Sequence, residues 1–198
     1  MSTELITKLR EMTGAGIMDC KNALKETKND IDKAVQWLRE KGMASAVKRA
    51  GRSAKQGLVH SYIHGNGTLG VLVEVNCETD FVAKTDDFKN LVKEIAMQIA
   101  AASPLFVTRE QVTEDVIKTE KEIYKAQLKE EGKPEKVWDK IIEGKIEKFY
   151  GQICLYDQPY MRDTTGKQTI KNLVDEAIGK IGENIVVKRF ARFKLGEE

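Results

Sequence analysis

Residues 76–84 read Asn-Cys-Glu-Thr-Asp-Phe-Val-Ala-Lys, with Phe81 and Val82 directly after an acid, between a strand-like run and a helical one. A connection in that position is ordinarily short and polar. Two readings are open: Phe81 tucks into the core, or it stands out as an aromatic anchor of the kind that dominates binding energy at protein interfaces. The other chemistry-bearing patterns carry less. Residues 65–70 (GNGTLG) match G-x-G-x-x-G, but a dinucleotide site needs that motif to open a helix, and here a strand follows. A kinase glycine loop does sit in a hairpin, and Val82-Ala83-Lys84 mimics its lysine strand. The chain has no HRD and no DFG, hence neither base nor metal ligand for phosphoryl transfer. It has no G-x-x-x-x-G-K-[ST] phosphate loop. His60 and His64 can share a strand face with Cys77 opposite, at a separation too large for one ion. Two histidines without Cys–His adjacency support no nucleophilic site. No catalytic residue, cofactor or metal ligand is therefore assigned, and the chain is not expected to be an enzyme.

The elements that must position residues 79–82 belong to a chain of 198 residues with a net charge of +2. That near balance argues against a dedicated nucleic-acid binder, though it leaves room for a local basic patch. An apolar fraction of 41% suffices for a core, and 32% charged residues imply a heavily solvated surface. Cys20, Cys77 and Cys154 are far apart, an odd set that reads as reduced thiols. Without a secretory N-terminus or an apolar run of membrane-spanning length, a cytoplasmic location is expected.

Helical periodicity in Leu5-Ile6-Leu9-Met12, Ile17-Cys20-Ala23-Leu24 and Ile31-Ala34-Val35-Leu38 predicts a three-helix module over 1–41, stopped at Gly42. Residues 42–56 are small and basic and read as a linker, leaving 57–198 as the main body. There the period changes to two. Leu58–His64 and Leu69–Cys77 flank Gly65-Asn66-Gly67, a strong hairpin signal. Asp86 is placed as the cap of a helix to about Ala102. Thr108-x-x-Gln111 reads as a capping box opening a charged helix to Glu131, and Gly132-Lys133-Pro134 as a turn with Pro134 at the first helical position. The return helix reaches Phe149, so 109–149 is expected as a projecting antiparallel helical hairpin, or coiled coil. A strand (Gln152–Tyr156), a helix (Thr169–Lys180) and a last strand (Ile185–Leu195) complete an α+β chain with a small antiparallel sheet.

Residues 13–24 (TGAGIMDCKNAL) and 74–84 (EVNCETDFVAK) closely resemble the two signature motifs of the bacterial elongation factor Ts family. Residues 95–101 (IAMQIAA), 144–149 (GKIEKF) and 192–197 (RFKLGE) resemble further family segments in family order, so the resemblance spans essentially the whole chain. It implies a module similar to ubiquitin-associated domains, a sheet-and-helix core and a projecting helical hairpin. It also implies nucleotide exchange on the translational GTPase elongation factor Tu. On that basis Asp80 and Phe81, framed by Thr79 and Val82, enter the GTPase domain near its magnesium site, where Phe81 wedges between side chains. Met18 and Asp19 contact a different helix of the same domain, and no nucleotide or membrane is bound directly.

Longer members of the family carry two tandem core halves and this chain carries one. A homodimer is therefore expected, through the terminal strand with its Phe190 and Phe193. A different class of reading is an RNA-binding accessory protein that uses the basic linker and the C-terminal basic strand. Against it, no aromatic platform or GXXG loop stands beside those cations.

Overall fold

The structure, a computed structural model, describes residues 3–197. Among them the chain forms eight α-helices and one antiparallel three-stranded sheet of order β1-β2-β3. The strands are β1 (Gln56–His64), β2 (Leu69–Cys77) and β3 (Val186–Lys194). The hairpin forms where Asn-Gly and the period of two predict it. In β2, the central strand, Val71, Val73, Val75 and Cys77 are buried while Leu72 is exposed, the alternation of a sheet covered on one face. Among the described residues no helix is long and apolar enough to cross a membrane.

Two compact units divide the chain, and the strands supply residues to both. The first comprises the residues through Val59, Glu74–Lys93 and Asn172–Val187. It begins with α1 (Thr3–Thr13), α2 (Ile17–Glu26) and α3 (Ile31–Arg49). Leu9, Cys20, Ala23, Leu24 and Ala34 form their shared core, joined by Leu5, Ile6, Ile31, Val35 and Leu38. Asp30 caps α3, its carboxylate accepting from Lys33 N at 3.0 Å.

Helix α3 does not stop at Gly42. It continues to Arg49, so the first half of the span read as a linker is helical. Gly42 is buried against α8 (Ile170–Ile181), where it meets Gly179. It is the absent side chain of Gly179 that lets the two helix backbones approach, since a methyl there would stand 2.6 Å from the Gly42 Cα, and the packing of α3 on α8 outweighs the weak helix propensity that makes Gly42 look like a stop. Arg39 of α3 pairs with Glu176 of α8 at 2.7 Å. The Lys180 side chain lies over Gly14 and reaches Asp87 at 2.7 Å.

The same unit holds α4 (Asp80–Ala83) and the start of α5 (Asp86–Ala102). Asp86 is the first residue of α5 and not its cap. Thr85 takes that place, its Oγ1 accepting from Phe88 N at 3.3 Å.

The second unit comprises His60–Val73, Glu94–Lys171 and the described residues from Lys188 onward; Glu198, which sequence reasoning offered as a partner for the terminal cations, lies outside the described residues, as do residues 1 and 2 of the N-terminal module. Helices α6 (Glu114–Glu130) and α7 (Trp138–Ile153) form the predicted hairpin, with Leu128, Ile142 and Ile146 buried between them and Tyr124, Trp138 and Tyr150 alongside.

The connection is a left-handed C-terminal cap. Gly132 takes φ +66°, Lys133 N donates to Leu128 O at 3.0 Å, and Gly132 N donates to Lys129 O at 3.1 Å. Pro134 precedes a 3-10 turn (Glu135–Val137) and so stands ahead of the helix instead of at its first position.

The capping box at Thr108 is not made. Gln111 turns its carboxamide back to Val107 N at 2.7 Å, residues Arg109–Gln111 form a 3-10 turn, and α6 begins only after Thr113. Arg109 instead ties the base of the hairpin together. It bonds Asp157 and, with two nitrogens, Glu147, and it stacks on Tyr150 at 4.6 Å.

The strand expected at Gln152–Tyr156 is replaced by the end of α7, a 3-10 turn (Leu155–Asp157) and an isolated parallel bridge between Phe106 and Cys154. Ile153, Cys154 and Leu155 are all buried, and a short fully buried run has the same sequence signature in either conformation. Gln158, itself buried, bends the chain by donating to Gln152 O at 2.7 Å and Ala102 O at 3.3 Å, while Gln98 holds it from α5 at 3.2 Å.

Candidate functional site

Thr79 to Val82 lie where β2 ends. Thr79 has extended backbone (φ −124°, ψ 154°) and caps α4, its hydroxyl accepting from Val82 N at 3.4 Å. The turn is only four residues long, and Ala83, 5% exposed, is its buried foot. Phe81 stands 77% exposed on the outside of this turn. The core reading of Phe81 is therefore excluded in the free chain. Val82 is half-buried, and its carbonyl accepts from Thr85 Oγ1 at 2.7 Å, joining α4 to the cap of α5.

Lys84 serves both neighbours of the tip. Its ammonium pairs with Asp80 at 2.6 Å and lies 5.7 Å from the Phe81 ring centre. The hydrogen bond from Lys84 holds the Asp80 carboxyl below its ordinary value. Asp80 is thus ionised and already has a partner on its own turn.

Behind the tip sits an arrangement that sequence reasoning missed. Glu183, in the turn between α8 and β3, accepts from Glu78 N at 3.1 Å, Thr79 N at 3.0 Å and Thr79 Oγ1 at 2.6 Å. Glu78 returns the contact, accepting from Asn184 N at 2.7 Å, and its carboxylate lies 3.6 Å from the Arg52 guanidinium. Buried Asn184 donates to Arg52 O at 2.8 Å. Cys77 closes the base, its thiol 3.1 Å from Thr79 O and pushed up to about 11 by burial. Such a thiol is held as a neutral donor and not as a nucleophile.

Met18 and Asp19 lie elsewhere, in the first turn of α2, and no recorded contact joins them to Thr79–Val82. Met18 is 63% exposed, with Met12 and Ile17 also exposed nearby in sequence. Asp19 pairs with Lys41 of α3 at 2.7 Å, and Lys41 lies over the Trp37 ring at 5.0 Å. Gly65–Gly70 form the hairpin turn and the start of β2. Among the described residues no three His, Cys, Asp or Glu side chains group to hold a metal ion.

The arrangement is an exposed aromatic on a short capped turn, backed by a reciprocal pair of carboxylates, with the shape of a wedge for a partner surface. The sequence model described as elongation factor TS matches residues 3–197. The chain belongs to the elongation factor Ts family. It is 58% identical to elongation factor Ts of Caldanaerobacter subterraneus subsp. tengcongensis, over 100% of this chain and 98% of that one. It is 57% identical to elongation factor Ts of Fervidobacterium nodosum, over 100% and 99% of the two chains. The same identity holds for elongation factor Ts of Thermotoga neapolitana, over 100% and 98%. Members of the elongation factor Ts family are translation elongation factors, and that role in protein biosynthesis is the one this chain carries.

Proposed function

We propose that the chain binds elongation factor Tu and promotes release of GDP by disturbing its Mg²⁺/phosphate site, allowing GTP to rebind. The observation that carries this reading is Phe81, 77% exposed on a turn whose backbone is tied down behind it. Such a factor makes and breaks no covalent bond. It binds the empty GTPase better than the GDP-bound form, and linkage makes GDP and the factor lower each other's affinity by one common factor. The magnesium site is the lever, because Mg²⁺ demands near-ideal octahedral geometry and tolerates little displacement of its ligands.

In this reading Phe81 is the wedge and Asp80 fixes local geometry by hydrogen bonding, on a turn framed by Thr79 and Val82. Met18 and Asp19 make a second contact from the N-terminal module, in which Met18 supplies apolar area. The chain acts in the cytoplasm and needs no cofactor. Two copies associate through the open face of the sheet. Leu195 N donates to Thr68 O at 2.8 Å, a register that sets Phe193 opposite Gly70 on the face that carries Leu72. Ile63 leans over Gly70 from the other side. Ile63, Leu72 and Phe193 are 64%, 48% and 73% exposed, an apolar strip that a second copy would cover.

RNA binding through 42–56 and the C-terminal strand has less support. Arg52 is turned to Glu78, and Arg192 and Lys194 are turned to Glu197.

The deciding experiment is release of labelled GDP from elongation factor Tu with and without the chain. Release that accelerates and saturates with concentration is expected, and an unchanged rate sinks the proposal.

A further inference from the structure

We infer that Glu183 is the positioning residue of the wedge: it sets the direction of Phe81 through the Thr79 hydroxyl. The inference rests on the exchange function proposed above.

A four-residue helix cannot hold its own shape, because helix nucleation is unfavourable and so few bonds do not offset it. The conformation of α4 must therefore come from its cap. That cap is the Thr79 hydroxyl, which has one proton and can point it in several directions. Glu183 Oε1 is the acceptor at 2.6 Å that takes this proton, and the hydroxyl lone pairs then face Val82 N. The other carboxylate oxygen of Glu183 binds the backbone N–H groups of Glu78 and Thr79. One side chain thus fixes the backbone entering the turn and the rotor that caps it, and Phe81 lies between Thr79 and Val82, the two ends of that cap. Asn184, buried and bonded on both its backbone N–H and its carboxamide, holds the turn that carries Glu183.

Glu183→Gln tests this, since a carboxamide of the same size can accept with one end only and sets an N–H₂ against N–H donors at the other. Three measurements are made on the full chain: melting temperature, amide exchange over residues 79–83, and GDP release from elongation factor Tu as a function of factor concentration. The maximal release rate is expected to fall about tenfold, the order expected for losing a charge-assisted hydrogen bond. The half-saturating concentration should move much less, and exchange at 79–83 should speed up without global unfolding. In a Phe81→Ala background the same substitution should cost nothing further. Should Glu183→Gln fail to fold, Glu183→Asp carries the same test, keeping the charge on a shorter arm. Wild-type-like release by the variant, or an undiminished effect in the Phe81→Ala background, overturns the role of Glu183 alone. A wild-type chain that leaves GDP release unchanged overturns the proposed function and this role with it.

Discussion

Gly179 of α8 crosses Gly42 of α3 so closely that a methyl group on Gly179 would stand 2.6 Å from the Gly42 Cα. Backbone at that distance cannot yield as a flexible side chain would, so one helix axis has to move. Gly179→Ala should therefore destabilise by about 1–3 kcal/mol in spite of alanine's better helix propensity. Gly144, in α7, is the control, since a methyl there meets nothing within 4 Å. Gly144→Ala should stabilise by about 0.5–1 kcal/mol. Thermal melts decide both signs, at about 2–4 °C per kcal/mol for a chain of this size. A neutral Gly179→Ala would mean the two helices are not in contact in solution.

Phe81→Ala should leave the melting temperature nearly unchanged, because little of the ring is buried. It should lower GDP release sharply, with loss of a central aromatic anchor worth roughly 2–4 kcal/mol. Melting and exchange must be measured on the same preparation. A variant that melts early would return Phe81 to a structural role, and one that exchanges normally would remove it from the mechanism.

The hairpin was legible in Gly65-Asn66-Gly67 and the alternation of Leu69 to Cys77, both local signals. Phe81 stood out in the sequence as an apolar residue out of place beside Asp80, but those residues left it open whether the ring was core or exposed, and its 77% exposure came from the fold. What failed was read from residue type without the partner that the folded chain supplies, near or distant. Gly42 looks like a stop until Gly179 stands against it. Thr108-x-x-Gln111 looks like a capping box until the Gln111 side chain is seen to prefer Val107 N. Glu183 gave no signal at all, since it lies 104 residues from the threonine it holds and is one acid among 31.

Asp163 organises the loop before α8, accepting from Gln168 N at 2.7 Å, Lys167 N at 2.8 Å, Thr165 N at 3.0 Å and the Thr165 hydroxyl. The bond from Gln168 N, then those from Thr165, hold its carboxyl well below the ordinary value. A depressed value means the contribution to stability is complete above the ordinary carboxylate range and disappears as pH falls through the depressed one. Amide resonances of Thr165, Lys167 and Gln168 should therefore shift together only in strong acid. Asp163→Asn should loosen the loop at neutral pH and flatten that titration. A common midpoint at the ordinary aspartate value would contradict the hydrogen bonding described.

Phe193→Lys should convert a dimer into a monomer if the open sheet face is the contact. Sedimentation at micromolar concentration is the measurement. A wild-type mass near 22 kDa rules out the dimer, and a dimeric Phe193→Lys variant moves the contact elsewhere.

Helix α3 runs unbroken from the core of the N-terminal module to its seat on α8. A module joined by a coil would have to surrender its rotational and translational freedom each time its chain met a partner, and that entropy would be subtracted from every association. Here the loss is taken once, at folding, by the same crossing of Gly42 and Gly179 that bars a side chain from position 179. Under the proposed function, Met18 and Phe81 would meet elongation factor Tu as parts of one body, with their joint contribution to affinity set by fixed geometry in place of linker length.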